Sequence, residues 1–398
     1  MVKTGYLRPS DTDQTKMIDI GDAYPGRTQL ISLYPALVNG IKTPGLWTWG
    51  NNNYGQLGLG DLINRSSPIQ VGSLTNWKSI SGGQYHTAAT KTDGTLWVWG
   101  YNNSANLGLG DFTHRSSPVQ VGSLTNWQSV SSGQYHTAAI KTDGTIWTMG
   151  ANGQGQLGLG DTARYSSPVQ VGSLTNWQSI SSGQLHIVAT KYDGTLWGWG
   201  DNSFGQLGLG DVVMYSSPVQ VGLLTNWQSV SSGRYNTVAT KNDGSIWSWG
   251  YNTYGQLGLG DSTGRSSPVQ VGSLTTWQNL STGYYHTSAT KNDGTLWTWG
   301  YNVYGGLGLG DAIHRSSPVQ VGSLTNWQSV ACGYYYTNTI KTDGTLWTWG
   351  FNTYGDLGLG DTTRRSSPVQ VGLLTNWKTL GTGFYPNSFF AISQGSGY

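Results

Sequence analysis

Three sets of residues in this chain have the type and spacing to do chemistry, and each recurs at a fixed interval. His86, His136, His186 and His286 occupy one position of a repeating pattern. Imidazoles gathered around an axis would suggest zinc, but zinc needs ligand bonds of about 2 Å converging on one point. Equivalent residues of successive repeats stand too far apart for that, and Asn236, Tyr336 and Pro386 interrupt the series. The reading is packing and hydrogen bonding, with no metal. Leu57-Gly58-Leu59-Gly60-Asp61 resembles a calcium-binding glycine-aspartate repeat or a phosphate loop. Calcium repeats of that kind recur every nine residues, and a phosphate loop ends in Lys-Ser/Thr before a helix; neither holds here. The glycines instead suit turns with positive φ, and the aspartates suit bonds to nearby backbone N–H groups. Ser66-Ser67-Pro68 stands in all seven copies without a copy-specific histidine and aspartate. A nucleophilic serine needs one particular base oriented by one particular acid. No enzyme class and no cofactor is supported.

Composition narrows the chemistry further. The chain has no glutamate, and of its 19 acids the aspartates after Leu-Gly-Leu-Gly and those in Asp-Gly pairs make up 13. Few carboxylates are left for acid or base work. With a net charge of +2 and 10% charged residues there is no basic stripe of the kind nucleic-acid binding requires. The single cysteine, Cys332, rules out a disulfide-stapled fold. No apolar run approaches the roughly 18 to 20 residues that span a bilayer, and the N-terminus shows no signal-peptide core, so a soluble protein outside the ordinary secretory route is expected.

The elements that must position these residues follow from the period. Leu57 to Asp61 returns at Leu107, Leu157, Leu207, Leu257, Leu307 and Leu357, always 50 residues on, with no insertion or deletion. Such a period marks a repeat architecture. Leu96 to Trp99 alternates, with both tryptophans on one side, which is strand periodicity. Lys91-Thr92-Asp93-Gly94 predicts a hairpin with a type I′ turn joining Tyr85–Thr90 to Leu96–Trp99. A third strand is expected at Val119–Val121 and a fourth at Trp127–Val130. Four antiparallel strands repeated around an axis are the pattern of an all-β, seven-bladed propeller. A solenoid fits less well, because its turn carries one or two elements. All 20 tryptophans fall at repeat positions and are read as core.

The string GQYHTAAIKTDGTIWTMG, followed by Asn152 and the glycine-rich run Gly155 to Gly160, resembles the regulator of chromosome condensation repeat. The resemblance covers residues 46 to 392 and implies a seven-bladed β-propeller. It is far less specific for function: the family includes a eukaryotic exchange factor for a small GTPase, a bacterial inhibitor of β-lactamases and many bacterial and phage proteins.

The expected organisation is a non-repeat arm at 1–45 and a propeller at 46–398. Counting strands leaves one copy of the Tyr85-type strand missing; Tyr385 to Ile392 should supply it and pair with Leu46–Gly50, closing the ring with both chain ends. Leu37 to Lys42 is the rival donor. In this arrangement the histidines open the inner strands around the central channel. The arm reads as a lead-in or as an anchor to something larger.

The antiparallel path puts the connections Gly100–Ser117 and Ser132–His136 on one face, and the Asp-Gly and Gly-Ser-Leu-Thr turns on the other. Copies differ on the first face. Its tetrads run LINR, FTHR, TARY, VVMY, STGR, AIHR and TTRR, and its triplets QYH, QYH, QLH, RYN, YYH, YYY and FYP. Tyr and Arg are the types enriched at protein interfaces. Tyr101, Arg115, Tyr251, Tyr284, Tyr301, Arg315, Tyr334 and Arg365 are therefore the candidate binding residues. The functional expectation is a non-enzymatic binding or structural propeller docking a protein or surface. Its near-identical copies and added arm resemble repeat proteins of bacteria and phages, implying an exposed component of a phage particle or bacterial surface assembly. A guanine-nucleotide exchange factor is the alternative, although no inserted wedge is present, and a carbohydrate-binding propeller is the second alternative.

Overall fold

The computed structural model describes residues 44–381 and 388–394. Residues 1–43, and with them the rival strand donor and nearly all of the expected arm, lie outside the described residues. Every described regular element is a strand, and there are 28. Numbered in chain order, β1 is Gly45–Gly50, β2 Arg65–Gln70, β3 Trp77–Gly82, β4 His86–Lys91, β5 Leu96–Gly100, β6 Arg115–Gln120 and β7 Trp127–Ser132. The cycle continues to β27, Trp377–Leu380, and β28, Ser388–Ser393. They form seven four-stranded antiparallel sheets, of which β3-β4-β5-β6 is typical.

Both chain ends build one blade, in the order β2-β1-β28-β27. The register Leu46↔Ile392, Thr48↔Phe390 and Gly50↔Ser388 zips the C-terminal strand onto the first strand. The expected closure by a strand ending near Ile392 therefore holds over Ser388–Ser393; Tyr385 to Asn387 lie outside the described residues.

Local chemistry explains the hairpins and corrects one expectation. Gly94 alone adopts positive φ, at 78°, and Asp93 does not. The Gly94 N–H donates to the Lys91 carbonyl at 3.0 Å and the Lys91 N–H to the Thr95 carbonyl at 3.0 Å. This is a type I turn closed by a glycine bulge, in place of a type I′ turn. The cause is the aspartate side chain: Asp93 Oδ1 accepts from the Thr95 N–H at 3.0 Å and from its hydroxyl at 2.6 Å, so Asp93 stays right-handed. The third strand also starts earlier than expected, at Arg115. Its ladder slips between Val98 and Gly100, beside Pro118, which has no N–H to give.

The core lies between blades. Leu46, Val71, Trp77, Ile80, Ala89, Trp99, Phe390 and Ile392 pack together at one junction, and the same pattern recurs at the others. Trp99 reaches back to the preceding repeat and donates its indole N–H to the Gln56 carbonyl at 2.8 Å. Gly58 makes that approach possible: its φ is +74°, and a Cβ there would lie 2.9 Å from Trp99 Nε1.

The strand lining the channel is the Trp77 type, not the histidine strand. Neighbouring channel strands are stitched by hydroxyls: the Ser132 N–H donates to Ser81 Oγ at 2.9 Å, Ser182 to Ser131 at 2.8 Å, Ser232 to Ser181 at 2.8 Å and Thr282 to Ser231 at 3.0 Å. Cys332 takes the next place, its N–H donating to Ser281 Oγ at 2.9 Å, and burial pushes its thiol up to about 11. The histidine strands are second from the axis because β3, with its Trp77 end packed between blades, offers the small Ser81 and Gly82 to the crowded centre.

Candidate docking face

The histidines sit buried between blades. His86 Nε2 lies 3.0 Å from Thr137 Oγ1, whose own hydroxyl proton goes to the Asn106 carbonyl at 2.7 Å, so His86 Nε2 is the donor. His286 and Thr337 repeat this at 3.0 Å. Burial pulls His86 down to about 3 and His286 to about 4, so these rings are neutral struts. Among the described residues no group of three or more His, Cys or acidic side chains could hold a metal ion.

The Leu-Gly-Leu-Gly-Asp aspartates are loop clasps. Asn52 Nδ2 donates to Asp61 Oδ1 at 3.0 Å, the Ile63 N–H donates to the same oxygen at 3.0 Å, and Arg65 donates to Oδ2. At the equivalent Asp261, the bond from the Thr263 N–H and then Arg265 hold the carboxyl below its ordinary value.

This clasp places the candidate arginines. Arg115, Arg315 and Arg365 stand on the outer rim, half-buried, each bound to the aspartate four residues earlier. Each also donates to a carbonyl of its own loop. Where the chain has tyrosine instead, the contact survives: the hydroxyls of Tyr165 and Tyr215 donate to Asp161 and Asp211, both at 2.8 Å. The Arg/Tyr alternation preserves one bond by two means, so sequence divergence at this position is not divergence of structure.

The candidate tyrosines, by contrast, converge around the channel mouth. Tyr301 has Tyr254 and Tyr335 at 5.0 Å between ring centroids and His314 at 4.8 Å. Tyr251 meets Phe204 at 5.1 Å and Tyr285 at 5.8 Å. Tyr284 and Tyr334 are 4.5 Å apart, and Tyr334 meets Tyr335 at 4.1 Å. Tyr101 gathers a second cluster with Tyr54, His114 and Tyr135. Tyr284 is 6% exposed and supports its neighbours more than it presents a surface; the others are half-buried. Burial, reinforced by neighbouring tyrosines, pushes the Tyr301 hydroxyl up to about 12 and Tyr335 higher still, so both are neutral donors at any ordinary pH.

Divergence between copies missed half of this belt. Tyr85, Tyr135, Tyr235, Tyr285 and Tyr335 recur with little change, Leu185 being the exception. A search for what varies passes over them. The usable signal was chemical: a large amphipathic residue kept at loop positions that the strand path places on one face.

A polar arc completes the mouth. Gln134 Nε2 donates to Gln84 Oε1 at 2.8 Å, Gln184 Nε2 to Gln134 Oε1 at 3.0 Å, and Arg234 Nε to Gln184 Oε1 at 2.9 Å. The Arg234 guanidinium lies 4.2 Å from the Tyr284 ring centroid and also bonds the Tyr285 hydroxyl. Arg364 stacks on Tyr304 at 4.5 Å. The amide arc thus runs from Gln84 to Gln184 beside the Tyr101 cluster, and Arg234 joins it to Tyr284 and Tyr285.

Fold and face together define a closed seven-bladed repeat propeller with an aromatic, hydrogen-bonding surface around one end of its channel. The RCC1-like domain model matches residues 130–386, and the regulator of chromosome condensation (RCC1) repeat matches residues 45–90 and 93–140. The chain belongs to the regulator of chromosome condensation repeat family. No curated protein matches it. Among solved structures it is similar to human WBSCR16, with 21% identity, a TM-score of 0.79, and coverage of 88% of this chain and 99% of that one. It is also similar to Prp20p from Saccharomyces cerevisiae, described with its binding to Gsp1p and histones, at 19% identity and a TM-score of 0.79, covering 90% of this chain and 93% of that one. The same yeast protein bound to Kap60 gives 18% identity and a TM-score of 0.79, covering 100% and 97% of the two chains. At these identities the likeness is one of fold.

Proposed function

We propose that this chain is a non-catalytic binding propeller that docks a protein partner on the tyrosine-lined face. The observation that carries the reading is the belt from Phe204 through Tyr251, Tyr254, Tyr285, Tyr301 and Tyr335 to Phe351, in which each ring neighbours the next. Tyrosine supplies large contact area with few rotors to freeze, and arginine held by stacking adds directed donors. The opposite face has Lys91 paired with Trp97, and Asp93 spent on its own turn, repeated with little variation. That yeast Prp20p binds Gsp1p, histones and Kap60 supports protein binding as the class of function. Attachment to a phage particle or bacterial surface assembly belongs to the same proposal, and it rests on the near-identity of the copies and on the segment before the first repeat.

The test is site-directed photocrosslinking in material from the native source. A photoreactive phenylalanine analogue at Tyr301 should capture a discrete partner that the same analogue at Thr142 does not. Capture from Thr142 alone would reverse the assignment of faces. Guanine-nucleotide exchange is the second reading, carried by the fold shared with an RCC1 protein.

A further inference from the structure

The outer wall carries a second kind of site. Between the outer strands of adjacent blades run grooves of about 440, 600 and 450 Å³ at three equivalent junctions. The first is lined by Leu259, Gln270, Leu274, Trp297, Ser317 and Pro318, and the third by the same residue types at Leu59, Gln70, Leu74, Trp97, Ser117 and Pro118. These volumes lie within the range of small-ligand pockets. Two features are unaccounted for by the core. A leucine and a tryptophan of the Leu59 and Trp97 types are left partly exposed at six junctions, Trp47 being buried at the seventh. Leu74, Leu124, Leu174, Leu224, Leu274 and Leu324 are all between 43% and 48% exposed.

We infer that these grooves are repeated, low-affinity sites for neutral saccharide units, so that the ring binds a repetitive glycan at several points. Charge argues for a neutral ligand: the arginine at each of the three grooves is already paired with its own aspartate, and the lysine beside each indole is buried against the ring. What remains is a flat indole, aliphatic carbon, a glutamine amide and a serine hydroxyl, which suit the apolar face and equatorial hydroxyls of a pyranose. The platform is rigid beforehand. The Trp97 N–H is held by Thr95 Oγ1 at 2.8 Å, and Lys91 Nζ sits 3.7 Å from its ring centroid, so stacking costs little rotor entropy. Repetition argues for a repetitive ligand, since a single folded partner would meet only one or two grooves, whereas a polymer gains avidity from each further site.

The test is titration of the full chain with cellotetraose, maltotetraose and chitotetraose, followed by calorimetry and intrinsic tryptophan fluorescence. At least one should bind with more than one site per chain and shift the fluorescence. Ser117→Arg and Ser317→Arg, at exposed positions, should each remove one site, while Tyr251, Tyr284 and Tyr301 changed together to Ala should leave the stoichiometry unchanged. Failure of all three oligosaccharides at millimolar concentration would overturn the inference. So would a single site lost with the tyrosines, which would move saccharide binding to the channel mouth, or a stoichiometry indifferent to both arginines.

Discussion

Trp49 donates its indole N–H to the backbone carbonyl of Asp356 at 3.0 Å, across 307 residues of sequence. Trp99, Trp199, Trp249, Trp299 and Trp349 each make this bond to the residue 43 positions earlier. At Trp49 alone it joins the first repeat to the last. The same contact that stacks one blade on the next therefore also closes the ring, together with the pairing of β28 on β1.

Removing residues 384–398 should open that junction. Phe389, Phe390 and Ile392 would leave the core, and β1 would lose its inner neighbour. A fall in melting temperature of at least about 10 °C is expected, because each large core side chain lost costs roughly 2 to 5 kcal/mol. A truncated chain that melts with the full-length protein in a calorimetric scan would contradict closure by this strand.

Asp356 gives the junction a pH dependence. It replaces the glutamine found at positions 56, 156, 206 and 256, is fully buried, and its Oδ1 has no partner. Burial raises its carboxyl from 3.8 to about 7. The folded state thus keeps a proton that the unfolded chain releases near pH 4, so this group's contribution is complete below that pH and is lost as the pH rises towards 7. The loss is bounded at about 4 kcal/mol by the size of the shift. Asp356→Gln keeps an acceptor for the Tyr354 N–H, which Asp356 Oδ2 now takes at 3.1 Å, as Gln256 does for Tyr254, and removes the ionisable group. Denaturant unfolding at pH 5 and pH 8 should show the variant more stabilised at pH 8; an equal effect at both would deny a titrating Asp356.

The rim arginines should be interchangeable with tyrosine. Tyr165→Arg and Tyr215→Arg recreate the pair seen at Arg115 and Asp111, and such partly exposed pairs are worth about 0 to 1 kcal/mol. Stability should change by less than about 0.5 kcal/mol in urea titrations, within the range of ordinary surface substitutions. Loss of folding on this swap would show that position 65 and its equivalents carry more than a loop clasp.

Most of the architecture was legible because the repeat states it seven times. The period gave the blade, the Trp47 and Trp49 alternation gave β1 and its copies, and the strand count placed the closing strand. What escaped was set by contacts between repeats. Asp93 has the same name in a type I and a type I′ turn, and only its bonds to Thr95 decide. The identity of the channel strand depends on how seven sheets converge on an axis, which no single unit encodes. At the mouth, Tyr101, Tyr251, Tyr301 and Tyr334 were found through divergence, while Arg115, Arg315 and Arg365 were selected by the same criterion although their divergence conserves a bond. Tyr85 and Tyr285 were passed over because they hardly change.

Guanine-nucleotide exchange separates the two readings of function. The loops of the tyrosine face have equal length in every described copy, with no insertion in any of them. Release of a fluorescent guanine nucleotide from a small GTPase should proceed at its intrinsic rate in the presence of the purified chain. Acceleration that is abolished by a single histidine substitution on the tyrosine face would favour exchange.

The central claim is that the tyrosine face is the contact surface and the Asp-Gly face is not. Tyr251, Tyr284 and Tyr301 changed together to Ala should weaken attachment to the native partner or surface by at least about 2 kcal/mol, the scale of interface hot spots, while circular dichroism still reports a folded ring. Thr92, Thr142 and Thr342 changed together to Ala should leave attachment within about twofold, since all three are exposed on the opposite face. The reverse pattern, with attachment lost through the threonines and retained by a folded tyrosine variant, would contradict the account.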